Sequence, residues 1–349
     1  MAMTIVETTR SITGGVDTHL DVHVAAAVDA NGGVLGVESF ATTPAGYREL
    51  CSWLETFGNP GRVGVEGTGA YGAGLARHLR RRGLVVIEVD RPNRQERRRN
   101  GKSDELDAIE AARAALSGRA SGIAKSADGD VEAIRALLVA RRSGRNVRVK
   151  YLNQIRHLSF TAPDELRERL RDVPVDHLAA TAAALRPRVD GDSVTYATKL
   201  AIAILGRRVL ALDDDGKRLD QALDTLVRRR APSLLEVYGV GTHTAAILLV
   251  TAGDNPHRLK NEAAFAHLCG VAPLPASSGK TQARFRLNPG GDRQANHALW
   301  RIVFTRMSGD ERTRKYVARR LAEGRTTREI MRALKRYVAR ELYPHLVAG

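Results

Sequence analysis

Between residues 14 and 89 short β-branched segments alternate with helical ones, and this alternation restricts the fold more than any other feature of the 349-residue chain. Residues 14–29 (GGVDTHLDVHVAAAVD) are strand-like. Asn31-Gly32-Gly33 has hairpin-turn chemistry, and residues 34–41 read as the next strand. Thr43-Pro44 opens a helix that runs past Trp53 and Leu54, with Thr43 as its N-cap. Residues 62–66 (RVGVE) form a short buried strand, 71–82 a helix, 84–89 (LVVIEV) a strand and 103–117 a further helix. The expected order is β-β-β-α-β-α-β-α.

The remainder is helical in character. Residues 130–230 are rich in Arg and Ala. Within them Ile202, Val209 and Leu223 share one heptad position, with Gly216 as the exception, and Leu205, Leu212, Leu219 and Leu226 share the other. Such a/d spacing suggests a coiled-coil seam used for dimerisation. The alternative is a long helix packed on its own domain and broken at Asp213-Asp214-Asp215-Gly216. After Ala231-Pro232 the pattern is helix, Gly-Val-Gly turn, helix. Basic helices follow, with residues 301–349 carrying thirteen Lys/Arg against five Asp/Glu. Three segments are expected: an α/β domain over 1–125, a helical coiled-coil segment over 126–230 and a mostly helical domain over 231–349.

Net charge narrows the partner. A formal +16 and a pI near 10.4 favour a polyanion. The two cysteines, Cys51 and Cys269, form no zinc motif or disulfide framework and suit a reducing compartment. The N-terminal MAMTIVETTR has no apolar signal core, and the longest apolar runs, such as Ala245 to Val250, are too short for a membrane span. A soluble, cytoplasmic, nucleoid-associated protein with no membrane contact is expected.

Four acids lie where such a sheet would gather them. The strand order is that of the ribonuclease H fold, in which the first and fourth strands are neighbours. Asp17 lies in the first strand, where an acid is unfavourable unless it faces a site. Glu66 ends the fourth, and the carboxyl edges of strands are where α/β sheets hold ligands. Asp104 and Asp107, three apart near a helix start, point to one side. Converging carboxylates repel unless cations neutralise them, which calls for Mg²⁺ or Mn²⁺. Taken singly, Asp104 is also a helix-dipole acid and Glu66 a strand-end surface residue. Asp21 and Asp29 compete with Asp17. His19 and His23 are spaced i, i+4 on a strand, which is not ligand spacing, so they read as packing or solvated residues. Arg91, Arg94, Arg97, Arg98, Arg99 and Lys102 lie in sequence between the acids and suit phosphate contact. Gly239 and Gly241 at a helix start would let a phosphate reach backbone N–H groups.

Gly-Val-Asp17-Thr-His, Val-Glu66-Gly-Thr-Gly-Ala-Tyr and Lys102-Ser-Asp104-Glu-Leu-Asp107-Ala resemble the DEDD transposases of bacterial insertion sequences, the family numbered one hundred and ten, which includes the pilin-gene invertases. Tyr238-Gly-Val-Gly-Thr-His, Cys269-Gly-Val-Ala-Pro-Leu-Pro-Ala-Ser-Ser278-Gly279-Lys280 and Leu287-Asn-Pro-Gly-Gly-Asp-Arg resemble the family's C-terminal domain. The resemblance implies a RuvC-like first domain and a mostly helical C-terminal transposase domain. It implies that Ser278 attacks DNA to form a phosphoserine intermediate, with the metal-bound acids as activators, supplied by another protomer. It also implies a non-coding guide RNA pairing with DNA. Lys280 and Arg284, beside that serine, are expected to contact nucleic acid. A homodimer or homotetramer is expected.

Two other functions fit the same residues. One is a metal-dependent nuclease or Holliday-junction resolvase in which Ser278 is structural. The other is an inert nucleic-acid-binding protein. Proofreading-type exonucleases are excluded, because Asp17-Thr-His19 lacks their Asp-x-Glu.

Overall fold

The computed structural model describes residues 10–89, 103–125, 129–189, 192–255, 259–275, 285–286 and 288–348. Its Cα packing forms two compact units, residues 1–129 with 253–260, and 130–252 with 261–349.

The first unit is a mixed α/β layer structure. Strands β1 (Ser11–Thr18), β2 (Val22–Val28) and β3 (Val34–Ala41) precede helix α1 (Pro44–Phe57). Then come β4 (Asn59–Glu66), α2 (Ala73–Arg81), β5 (Val85–Val89), α3 (Asp104–Leu116) and the short β6 (Gly122–Ile123). The order is the one read from the sequence, with the 14–29 stretch divided into two antiparallel strands by a turn at Leu20-Asp21. Across the sheet the strands run β3-β2-β1-β4-β5-β6, with β1 parallel to β4 and β4 parallel to β5. Local chemistry sets the connections. Thr43 accepts the Gly46 N–H at 3.1 Å and caps α1. Asp29 accepts the N–H groups of Asn31 and Gly33 at 2.9 and 2.8 Å, and Gly32 takes φ +83°, which only glycine adopts without strain.

Strand alternation assigns the two faces. Ile12, Val16, Val63 and Val65 join Leu50, Leu54, Leu75 and Leu79 of α1 and α2 in one buried cluster. On the opposite face Val24 and Ala26 meet Ala108 of α3. Here the sheet is stripped of side chains. A Cβ on Gly15 would stand 2.2 Å from the Ala108 oxygen and the Ala112 nitrogen, and one on Gly64 2.3 Å from the Ala111 oxygen. Glycine on the strands and alanine on the helix let α3 lie directly on β1 and β4.

The second unit is helical. Its longest elements, α4 (Asp130–Phe160) and α7 (Ser193–Arg230), run antiparallel and are linked by α5 (Asp164–Arg171) and α6 (Val175–Ala183). A ladder of ion pairs fixes their register: Asp130–Arg229, Arg141–Asp220 at 2.8 and 2.9 Å, and Arg148–Asp213. Ile202, Val209, Gly216 and Leu223 are all buried within this unit, and the first two join Leu152 and Ile155 of α4 in its core. Leu205, Leu212, Leu219 and Leu226 are half-buried. Helix α7 runs unbroken through Asp213-Asp214-Asp215-Gly216. Asp213 is held by Arg148, and the Arg141 side chain lies beside Gly216. The break considered for that stretch does not occur.

The same unit continues through α8 (Pro232–Leu235), α9 (Thr242–Ala252) and α10 (Glu262–Leu268). Strands β7 (Leu274–Pro275) and β8 (Phe285–Arg286) pair antiparallel, and α11 (Arg293–Gly309), α12 (Glu311–Ala322) and α13 (Thr327–Val347) follow. No described helix is long and apolar enough to cross a membrane. Both cysteines are buried and free.

Candidate metal centre

Alternation carries two of the acids to one face. Asp17 has the parity of Gly15, and Glu66 has the parity of Gly64, so both point to the side covered by α3. They sit at the carboxyl ends of parallel neighbouring strands, one step beyond the pair Val16–Val65. Both are buried, at 6% exposure each. Burial at that depth is costly for an acid without a partner. Helix α3 begins at Asp104, with Ser103 as its N-cap, so Asp104, Glu105 and Asp107 occupy the first turn, where the helix dipole favours negative charge.

The side chains of Asp17 and Asp104 meet at His19, while Glu66 and Asp107 stand outside this group. His19 Nε2 lies 3.1 Å from Asp17 Oδ2 and 3.5 Å from Asp104 Oδ2. One ligand atom from each of Asp17, His19 and Asp104 falls within 4.8 Å of the other two, a spacing one cation could bridge. His19 is half-exposed and shares a hydrogen bond with Asp17, beside Asp104. The i, i+2 spacing carries His19, just past the end of β1, to the same side as Asp17. His23 does fit the packing reading. It is fully buried on the other face and stacks on Tyr47 at 5.8 Å, with an interplanar angle of 5°.

Electrostatics at the cluster favour a cation. Burial pushes the Asp17 carboxyl above its ordinary range. His19 opposes the shift, and the carboxylates of Asp107 and Asp104 add to it. Asp107 thus belongs to the same electrostatic neighbourhood, as its place one turn after Asp104 requires. A divalent ion would remove this repulsion, and carboxylate oxygens with one imidazole nitrogen are a suitable donor set for one. Among the rivals, Asp21 is exposed in the β1–β2 turn, and Asp29 is engaged by Arg10 at 3.1 Å and by its own hairpin.

The other expected site residues fall in two groups. Arg91, Arg94, Arg97, Arg98, Arg99, Lys102, Ser278, Lys280 and Arg284 lie outside the described residues, as does Ser277, which precedes the expected nucleophile. Strands β7 and β8 flank 276–284 in sequence, and the motif residues around them form a tight base. Gly291 packs so closely on Gly270 that a Cβ there would stand 2.2 Å from the Gly270 Cα. Asn296 Nδ2 donates to the carbonyls of Cys269 and Gly270 at 3.0 and 3.1 Å, and Lys335 Nζ donates to Asn296 Oδ1 at 2.7 Å. In the glycine turn Gly239 adopts φ +83°, and Arg306 Nε donates to the Tyr238 carbonyl at 2.9 Å. The Gly241 N–H donates to Thr244 Oγ1 at 3.1 Å, so it already has a partner within the turn.

Comparison with known proteins agrees with these two motif regions. A transposase family model, the DEDD transposase of IS110, matches residues 14–161, and a second, the transposase IS116/IS110/IS902 family, matches residues 231–318. The chain is similar to an uncharacterized 43.6 kDa protein of insertion element IS110 from Streptomyces coelicolor, 30% identical over 152 residues. It is also similar to an uncharacterized 42 kDa protein of insertion element IS900 from Mycobacterium paratuberculosis, 26% identical over 166 residues. These matches cover 43% and 46% of this chain, and 37% and 41% of the respective relatives.

Proposed function

From the premise that both matched segments are transposase domains of the IS110 group, we propose that this chain cleaves and rejoins DNA during insertion-sequence transposition. The observation that carries the reading is the meeting of Asp17 and Asp104 at His19, on the sheet face that Glu66 shares. Carboxylates gathered at the carboxyl edge of this strand order suit a RuvC-like, ribonuclease H-like nuclease domain. Asp17, Glu66, Asp104 and Asp107 would hold Mg²⁺ or Mn²⁺, and such an ion supplies charge neutralisation at a phosphodiester and a lowered pKa for a bound hydroxyl.

Ser278 is the nucleophile in this reading. Its oxygen bonds to the scissile phosphorus as the bond to one deoxyribose oxygen breaks. The serine proton passes to a carboxylate, and the departing oxygen takes up a proton. A hydroxyl from a second DNA end then attacks the phosphoserine, frees the serine and seals the new junction. The surplus of positive charge suits DNA together with a guide RNA. Arg91, Arg94, Arg97, Arg98, Arg99, Lys102, Lys280 and Arg284 are the candidate phosphate contacts, and Gly239 and Gly241 would join them if Thr244 released the Gly241 N–H. Joining four DNA ends suits a homodimer or homotetramer acting at the nucleoid. The domain scheme is a nuclease domain over 1–125, a helical segment over 126–230 and a serine domain over 231–349.

The test is trapping of a covalent protein–DNA adduct with cognate DNA and RNA. The adduct forms in the parent and in Ser277→Ala and is lost in Ser278→Ala. Cutting that survives Ser278→Ala leaves a metal-dependent nuclease or junction resolvase, a reading favoured by the acid cluster lying wholly within the first unit. Binding without cutting leaves an inert binder.

A further inference from the structure

We propose that His19 is itself a metal ligand, through Nε2, and that it tilts the centre toward transition ions such as Mn²⁺ and away from Mg²⁺. The inference rests on the metal reading above and adds to the four acids a nitrogen donor that makes the site selective.

The ligand edges support it. An ion about 2.1 Å from two ligands at right angles holds them about 3 Å apart. The Nε2 edges to Asp17 Oδ2 and Asp104 Oδ2 are 3.1 and 3.5 Å, so His19 sits where a neighbouring ligand of the same ion would sit. The backbone is fixed for the purpose. The Thr42 hydroxyl donates to the His19 carbonyl at 3.3 Å, and the Thr42 N–H donates to the Asp21 carbonyl at 2.9 Å, pinning the turn that follows β1. To enter the coordination sphere the imidazole need only exchange its Nε2 hydrogen bond to Asp17 for the ion.

Ligand chemistry then sets the preference. Mg²⁺ is hard, keeps its waters and favours oxygen. Mn²⁺ also suits carboxylates and stands lowest of the first-row transition ions in affinity for nitrogen-containing sites, but it accepts an imidazole where Mg²⁺, which dehydrates reluctantly, keeps a water. An all-carboxylate centre would discriminate weakly between Mg²⁺ and Mn²⁺, whereas one imidazole among the acids raises Mn²⁺ affinity selectively.

Calorimetric titration of the full chain with Mn²⁺ and with Mg²⁺, without nucleic acid, measures the difference. His19→Ala and His19→Gln should each weaken Mn²⁺ by at least about tenfold, the scale seen even for outer-shell changes. Mg²⁺ should move by less than about threefold. Electron spin echo spectroscopy of bound Mn²⁺ should show ¹⁴N coupling in the parent and lose it in His19→Gln, a signature that a merely structural histidine would not give. His19 is partly exposed, so both variants should fold, and circular dichroism checks that they do. Unchanged Mn²⁺ affinity with the ¹⁴N signal retained in His19→Gln overturns the proposal. So does tighter binding of both ions in the variants, which would make His19 a plug in the ion's place. Asp17→Asn separates the two levels. Loss of both ions in Asp17→Asn beside an unaffected His19→Gln refutes the ligand role alone. Binding of neither ion by the parent refutes the metal centre as well.

Discussion

Gly15 lies directly beneath Ala112, so near that a single added carbon would stand 2.2 Å from the Ala112 backbone nitrogen. Helix α3, which carries Asp104 and Asp107, is therefore positioned by the absence of side chains under it. Gly15→Val should force the helix off the sheet and lower stability at the upper end of the about 1–3 kcal/mol typical of overpacking. Mn²⁺ affinity should fall with it, although no ligand has changed. Urea unfolding together with calorimetry checks both, and parental values for each would contradict this account of the helix.

Asp17 should act against stability when no cation is present. Its folded pKa is raised, chiefly by burial, so the folded state holds the proton more tightly than the unfolded chain does. The associated stability is present below the ordinary carboxylate range and is lost as pH rises through the raised value. At neutral pH in chelator, Asp17→Asn should melt above the parent. With saturating Mn²⁺ the order should reverse, because only the parent gains stability from the ion. Scanning calorimetry in EDTA and in Mn²⁺ reads both halves.

His23 predicts the opposite acid behaviour. It is fully buried with no hydrogen-bond partner for either ring nitrogen among the described residues, and burial lowers its pKa to about 4. The unfolded state takes a proton near pH 6.5 while the folded state resists, so stability falls as pH drops from about 6.5 toward 4. The loss at the acid end is on the order of 3 kcal/mol at 1.36 kcal/mol per pH unit. His23→Phe keeps the stack on Tyr47 and should flatten the difference between pH 7 and pH 5 in chemical denaturation. An equal slope in both proteins would rule out His23 as the source.

The two heptad edges of α7 should separate by function. Ile202→Ala opens the core of the second unit and should cost about 2–5 kcal/mol. Paired changes at the half-buried Leu212 and Leu219, each to Glu, should barely shift the melting point yet move the chain toward monomer in sedimentation. A large loss of stability with no change in mass would assign that edge to internal packing alone.

Much of the first unit was legible because strands and helices alternate in short, well-punctuated segments. That Asp17 and Glu66 share one face follows from strand parity together with the β1–β4 register of the structure. The i, i+4 spacing of His19 and His23 carries no information about His19, whose partner in the fold is Asp17, two residues back. The heptad in α7 showed a buried edge, but periodicity reports that a face is covered and not by what. Its cover is α4 together with α6, both earlier in the chain, as the shared core and the ladder from Asp130–Arg229 to Arg148–Asp213 show. Nor could sequence show that the Gly241 N–H is engaged by Thr244, because a Gly-Val-Gly turn has the same letters whether its donors are spent or open.

The first unit is closed by a late arrival. Asn255 Nδ2 donates to the Ala124 carbonyl at 3.0 Å, and Gly253 packs against Lys125, so residues 253–260 complete a unit begun at the N-terminus. A chain emerging from the ribosome must make all of residues 130–252 before those contacts can form. At about 5–20 residues per second that delay lasts roughly 6 to 25 s. The first unit thus reaches its finished state only when much of the helical unit has been synthesised.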